Sequence, residues 1–454
     1  MRILRVTTIL TLCVFFAASF GQAEVLKTPY LQNVSRTGMT VCLETNTPED
    51  VTVEWGLTQQ YGESLTEGFV QDPDFPDGKR YIYKVRLEGL EQGTMYHYRA
   101  THGEFVSEDR TFITAPDNMS DFNFVAFGDS RGGTPTDPNL DHVGTASAIT
   151  DIMPMFYINT GDFVSGGENY LDWDTHFSVE NDLMGYAPMY PVYGNHEEGY
   201  DTETGISGFG LWKYYFDTDH EDDGTWYSFD YGNVHFIVLD LPRSWLILPG
   251  TAQYRWLYAD LADYVENPHT NFLLAFFHYP PFSWKPGRNP DVSAWLIAEA
   301  ILRQYGVNAI ITGHDHYYAR REMWGITEII SGGGGASLYD FYDNVENRLG
   351  YVAHAKEHHI IDINVSSTLM QFDVWSTTTD QLIDSFEIEV DDPPVPDGED
   401  DDADDDVDDD ANDDADDDLN DDVDDDANDD SVDDDSAPAA DKGDDDDDDG
   451  GCCG

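Results

Sequence analysis

The sequence predicts a mixed α/β protein: a β-sandwich over residues 24–116, then a layered α/β domain over residues 117–390, then an acidic tail over residues 391–454. Three observations carry this. Residues 24 to about 116 are short alternating segments with no helical period. Beyond them, short apolar runs end in Gly-Asp or Gly-His, with amphipathic stretches between some of them. From residue 391 aromatics vanish and Asp tracts dominate, a composition that cannot build a core.

The first 23 residues read as an export signal. Arg2 and Arg5 precede the uncharged, mostly apolar residues 6–20, and Gly21-Gln22-Ala23 supplies small residues for cleavage before Glu24. A secreted, periplasmic or cell-surface location is expected. Leu12 is too large for a lipid-attachment site at Cys13. Of the other cysteines, Cys452 and Cys453 lie in the tail, so Cys42 has no disulfide partner in the folded body and is expected to pack as a small apolar residue.

Residues 40–44, 51–55, 81–87 and 95–100 alternate as strands. The run from Leu87 through Gly89-Leu90 to Tyr96-His97-Tyr98 resembles the strand corner of a fibronectin type III domain, with Tyr96 at the position of the corner tyrosine. After the linker Ala115-Pro116-Asp117-Asn118, residues 122–127, 156–160, 234–239, 272–277 and 309–312 read as buried strands, and residues 251–264 and 293–305 as amphipathic segments.

The net charge is −69; residues 391–449 hold 35 Asp or Glu against Lys442 alone, leaving a net −35 for the rest. An acidic body argues against nucleic-acid binding through a broad basic face. It also requires a local positive site if the substrate is an anion. Within the tail an apolar residue recurs every fourth position from Ala403 to Ala427, but unbroken Asp is a poor helix former. Disorder is expected there, with a calcium-stiffened spacer as the functional alternative. The terminal Gly450-Gly451-Cys452-Cys453-Gly454 suggests cell-surface attachment or exposed thiols.

Six candidate metal ligands stand at predicted strand ends. They are Asp129 in Gly128-Asp129-Ser130-Arg131, Asp162 in Gly161-Asp162-Phe163, Asn195 in Gly194-Asn195-His196-Glu197, His278 before Tyr279-Pro280-Pro281, and His314 and His316 in Gly313-His314-Asp315-His316. Singly, each has a plain reading as a turn, a cap or a strand-end histidine. Together, carboxylates and imidazoles suit Zn, Fe or Mn. One carboxylate shared by two ions about 4 Å apart lowers the pKa of a bound water and generates a hydroxide nucleophile for in-line displacement at phosphorus.

At these residues the chain resembles the calcineurin-like metallophosphoesterase superfamily, and within it the purple acid phosphatase branch, over residues 24 to about 390. The resemblance implies a central β-sandwich flanked by helices, following the fibronectin-like domain. It implies that Asp129 and His316 bind a first metal, that Asp162 bridges, and that Asn195, His278 and His314 bind a second. It implies that His196 contacts the phosphate and protonates the leaving oxygen, oriented by Glu197 or a nearby carboxylate. Two positions depart from the pattern. Arg131 stands where many members carry a histidine ligand, and Ser165 where purple acid phosphatases carry the tyrosine that colours their iron. The first metal therefore keeps three obvious protein ligands, a protein without the purple colour is expected, and Arg131 is a candidate phosphate contact.

The expected activity is phosphomonoester hydrolysis. The alternative on the same metals is phosphodiester or nucleotide hydrolysis, and the alternative of another class is a calcium-responsive surface binding module. The Gly-rich run Ser331 to Gly335 lacks a P-loop lysine and reads as a turn near the pocket. His354, His358 and His359 read as structural or exposed, and Arg320 and Arg321 as partners of local carboxylates.

Overall fold

The computed structural model describes residues 24–71, 74–218 and 224–396. The export signal, the calcium and surface-attachment readings of the tail, and Cys452 and Cys453 lie outside the described residues.

The chain begins with alternating strands, because alternate residues must face a core. These are β1 (Val25–Gln32), β2 (Gly38–Thr45), β3 (Val51–Gly56), β4 (Glu63–Glu67), β5 (Tyr81–Glu88), β6 (Met95–His102) and β7 (Arg110–Ile113). They form two antiparallel sheets in the orders β1-β2-β5 and β7-β6-β3-β4. Val41, Val53, Val85, Tyr98 and Phe112 interdigitate between them. The Tyr96 hydroxyl accepts a 2.9 Å bond from the Glu91 N–H, closing the corner that its position predicts. Cys42 is buried and unpaired.

Two further sheets follow. The strands are β8 (Phe122–Phe127), β9 (Phe156–Asn159), β10 (Met189–Pro191), β11 (Tyr227–Tyr231), β12 (Val234–Leu239), β13 (Phe272–Phe277), β14 (Ala309–Thr312), β15 (Tyr318–Met323), β16 (Ile326–Ser331), β17 (Tyr351–Ala355), β18 (His359–Val365), β19 (Leu369–Ser376) and β20 (Leu382–Glu389). The first sheet runs β10-β9-β8-β18-β19-β20 and the second β11-β12-β13-β14-β16-β15-β17. Within the first, β8, β9 and β10 are parallel; within the second, β12, β13, β14 and β16 are parallel.

Parallel strands buried on both faces read as continuous apolar runs, which is why Phe272–Phe277 is Phe-Leu-Leu-Ala-Phe-Phe. Its even residues, Phe272, Leu274 and Phe276, join Phe124, Phe156 and Phe236 between the sheets. Its odd residues, Leu273, Ala275 and Phe277, pack outward on Leu257 and Leu261 of the helix Ala252–Glu266. On the far side Val125, Phe127 and Tyr157 pack on helices α1 (Leu140–Ile152) and α2 (Tyr170–Met184). Residues 293–305 are helical but irregular: an α-turn at Val292–Leu296 widens into a π-turn at Ile297–Ile301 and tightens at Leu302–Tyr305.

The first sandwich is docked on α2 by buried polar contacts. Lys27 Nζ reaches Glu44 Oε2 at 2.5 Å and Asp174 Oδ1 at 2.7 Å, and Arg80 reaches Asp174 Oδ1 at 2.8 Å. The Tyr98 hydroxyl donates to the Gly185 carbonyl at 2.7 Å. Arg320 pairs with Asp384 and Glu322, and Arg321 with Glu328. His359 is buried against Ser331, with Ser331 Oγ 3.1 Å from its Nε2.

One histidine between two carboxylates sets a pH dependence. His235 lies between Asp230 Oδ1 at 2.6 Å and Asp260 Oδ2 at 3.1 Å. Burial opposes its charge, but bonds to the two carboxylates prevail and push its pKa from 6.5 up to about 9. A pKa raised on folding adds stability that is full below about 6.5 and is lost as pH rises through about 9. Unfolding free energy is expected to fall over this window by on the order of 1–3 kcal/mol more in the native chain than in His235→Gln, measured by denaturant titration. Equal slopes in the two proteins contradict the assignment.

Candidate metal centre

Each candidate side chain stands on a turn beyond a strand: Asp129 after β8, Asp162 after β9, Asn195 after β10, His278 directly after β13, and His314 and His316 after β14. These are the C-terminal ends of the parallel strands, so strand direction alone brings the side chains to one rim. Asp129, Asp162 and His314 take positive φ values of 58°, 58° and 68°. That region is sparsely populated by residues with a Cβ, and holding three of them there marks a strained, over-determined rim. Glycine is required at 161, where a Cβ would stand 2.8 Å from His278 Nδ1 and 2.9 Å from Gly194 Cα. Main-chain bonds tie the turns together. The Asp129 N–H donates to the Gly161 carbonyl at 2.9 Å, Arg131 to Asp162 at 3.1 Å, and Gly313 to His278 at 3.1 Å.

The imidazoles are aimed by carbonyls behind them. His278 Nδ1 is 2.9 Å from the Thr160 carbonyl, and His316 Nδ1 is 2.7 Å from the Ser337 carbonyl. Donation from Nδ1 leaves Nε2 as the lone-pair nitrogen facing the cluster. His278 Nε2 then lies 3.3 Å from Asp162 Oδ1 and 3.0 Å from Asn195 Oδ1. His316 Nε2 lies 3.3 Å from Asp129 Oδ1. Donor atoms of Asp162, His278 and His314 all fall within 4.8 Å of one another. Asp129 Oδ2 accepts the His314 N–H at 2.8 Å, whereas its Oδ1 is buried without a hydrogen-bond donor. A buried carboxylate oxygen facing lone-pair nitrogens is unsatisfied unless a cation lies between them. Two carboxylates, an amide oxygen and three imidazoles fit first-row transition metals.

The buried acids and imidazoles shift one another's charge. Burial opposes ionisation of Asp162, yet His278, His196 and His314 hold its carboxyl well below the usual range. Burial also opposes charge on His278, but Asp162 and then Asp129 push its pKa up to about 9. Burial, followed by the charges of His278 and Arg288, drives His314 well below its ordinary value.

The surroundings differ from the sequence reading at one residue. Glu197 does not orient His196. Its carboxylate takes the N–H groups of Asp162 at 2.9 Å, Gly194 at 2.7 Å, Phe163 at 3.0 Å and Val164 at 3.3 Å, and so holds the Asp162 turn. Orientation of His196 comes from the Ser165 carbonyl, 2.7 Å from Nδ1, which leaves Nε2 3.8 Å from Asp162 Oδ2. Arg131 lies beside the same oxygen, with Nε 3.9 Å from Asp162 Oδ2. Asp315 is a fastener between the two His: it accepts from Ser283, Tyr317 and Arg288 at 2.6, 2.5 and 2.7 Å. The run Ser331 to Gly335 packs on the first turn, with Gly334 donating to the Gly128 carbonyl at 2.7 Å and Ala336 to the Asp129 carbonyl at 2.8 Å.

Two aromatic walls were not singled out from the sequence. Tyr339 stacks on His316 with ring centres 4.0 Å apart, and Tyr279 meets His314 edge-on at 4.5 Å. Tyr279 directly follows His278 and could have been found by adjacency; Tyr339 carries no local signal.

The calcineurin-like phosphoesterase family model matches residues 125–318, which include all six candidate ligands and His196. An uncharacterised protein of Mycobacterium tuberculosis is 26% identical over 324 residues, 61% of this chain and 60% of that protein. Purple acid phosphatase 18 of Arabidopsis thaliana is 26% identical over 268 residues, 57% of this chain and 56% of that protein. The chain thus spans somewhat over half the length of these curated relatives. Among solved structures, a purple acid phosphatase from yellow lupin seeds aligns with a TM-score of 0.69 at 19% identity, covering 80% of this chain and 74% of that one. The structure of PhoD aligns with a TM-score of 0.60 at 12% identity, covering 80% of this chain and 90% of that one. At such identities these two speak for the fold.

Proposed function

We propose that the protein, whose residues 125–318 match the calcineurin-like phosphoesterase family and which has purple acid phosphatases among its relatives, is an exported hydrolase of phosphate monoesters working at a dinuclear metal centre. The observation that carries the reading is the convergence of Asp129, Asp162, Asn195, His278, His314 and His316 at one rim, with their donor atoms facing inward. In this reading Asp129 and His316 would hold one cation, Asn195, His278 and His314 would hold the other, and Asp162 would serve both. A pair of cations held there would supply Lewis acidity toward a water molecule and toward the phosphoryl oxygens.

The chain's own residues do the rest. Arg131 neutralises a phosphoryl oxygen with a guanidinium that suits it. His196 donates the Nε2 proton to the leaving oxygen as the P–O bond breaks, while the Ser165 carbonyl fixes the ring through Nδ1. Export is supported by the sequence of residues 1–23.

The test is hydrolysis of an aryl phosphate monoester and of the corresponding diester by the chain loaded with zinc, manganese or iron. Monoester turnover well above diester turnover is expected. A reversed preference selects a diesterase, and a loaded protein inert to both contradicts the reading. Arg131→Ala is expected to raise KM for the monoester about tenfold or more, with Arg131→Lys recovering part of it. Unchanged KM and kcat would remove Arg131 from the site.

A further inference from the structure

Helices α1 and α2 meet over a second cluster that the phosphoesterase reading does not use. His142 of α1 is 2% exposed, and His176 and Glu180 of α2 are 1% and 0% exposed. His176 and Glu180 are one helical turn apart and so share a face. His142 Nε2 lies 2.6 Å from Glu180 Oε1, and His176 Nδ1 lies 3.6 Å from the same oxygen. The Tyr157 hydroxyl donates to Glu180 Oε2 at 2.8 Å. One donor atom from each of the three residues lies within 4.8 Å of the others. His176 is the anomaly: both of its ring nitrogens are buried with no hydrogen-bond partner. An ordinary buried His–Glu pair accounts for His142 and Glu180 but leaves His176 unexplained, because buried polar groups are otherwise satisfied.

We infer that His142, His176 and Glu180 form a further metal site for a first-row dication such as zinc, separate from the cluster at Asp162. Two imidazoles and a carboxylate are a zinc-type donor set. The 2.6 Å contact between His142 Nε2 and Glu180 Oε1 holds one proton; the cation takes its place and that proton leaves to solvent. The Tyr157 bond occupies Oε2 and turns Oε1 toward the imidazoles, the support that ligating carboxylates require. Gly132, Gly133, Ser165 and Asp172 stand around the same tight space as both imidazoles. The Phe163 ring, next to Asp162, lies against His176 at 5.0 Å, so an ion here braces the turn that carries Asp162.

The site is tested with zinc alone on the full chain, counting bound metal by elemental analysis after removal of excess. Asp162→Ala, which dismantles the first cluster, is expected to retain one zinc per chain, and Asp162→Ala combined with His176→Ala none. Zinc is also expected to raise Tm of Asp162→Ala by several degrees and to leave Tm of Asp162→Ala with Glu180→Gln unmoved; this second pair serves if the His176 variant fails to fold. No zinc on Asp162→Ala, or equal zinc with and without His176, overturns the inference. Failure of the dinuclear reading has a different signature: a native chain that binds one zinc and keeps it in Asp162→Ala.

Discussion

Asp162→Ala is expected to lose both bound metal at the rim and hydrolytic activity. Both oxygens of this carboxylate are addressed. Oδ1 accepts the His196 N–H at 3.0 Å and stands 3.3 Å from His278, while Oδ2 faces His196 and Arg131 at 3.8 and 3.9 Å. His278 and His314 of the second half of the cluster stand beside it, and the proposed function makes it the ligand shared with the first half. On the proposed metal arrangement, removing it takes away an anionic ligand shared by two cations, and metal-ion charge stabilisation is worth several kcal/mol, so kcat/KM should fall on the order of 10³-fold or more. Residue 162 sits at a φ of 58°, which alanine tolerates poorly and asparagine tolerates well. Asp162→Asn is therefore the companion variant, keeping the backbone while removing the charge. Both should show reduced metal by elemental analysis, with Asp162→Asn folded by circular dichroism. Full metal with native turnover in either protein refutes the shared-ligand role.

His196→Ala is expected to keep its metal and lose turnover on the order of 10²-fold or more. The side chain is 29% exposed, faces the rim through Nε2 and is anchored through Nδ1, the posture of a proton donor that touches substrate. Dependence on the leaving group separates this role from a structural one. An alkyl phosphate, whose leaving oxygen needs a proton, should suffer the full loss. A nitrophenyl phosphate, whose leaving group departs as an anion, should suffer much less. Equal losses on both substrates, or normal turnover, remove His196 from proton transfer.

The sequence made the layered α/β architecture and the rim residues readable for the same reason. Strands buried on both faces are uninterrupted apolar runs, and three of them give way abruptly to a glycine followed by a polar residue, in Gly128-Asp129, Gly161-Asp162 and Gly313-His314. Periodicity could not reveal the left-handed backbone at Asp129, Asp162 and His314, which depends on main-chain bonds between distant turns. Glu197 was misread because proximity in sequence to His196 suggested contact, whereas its carboxylate is consumed by four N–H groups of two turns. Helices α1 and α2 left little trace. The buried face of α1 is His142, Thr145, Ala146 and Ile149, and that of α2 includes Thr175, His176 and Glu180, so polar residues break the apolar stripe that marks a helix. That broken stripe is where the second cluster lies.

Anomalous X-ray scattering from crystals of the metal-loaded chain tests the central claim most directly. Two strong peaks about 4 Å apart or closer are expected at the rim. Both should lie within bonding distance of Asp162, one also contacting Asp129 and His316, the other Asn195, His278 and His314. A single peak at the rim, or two peaks that do not share Asp162, would contradict the account.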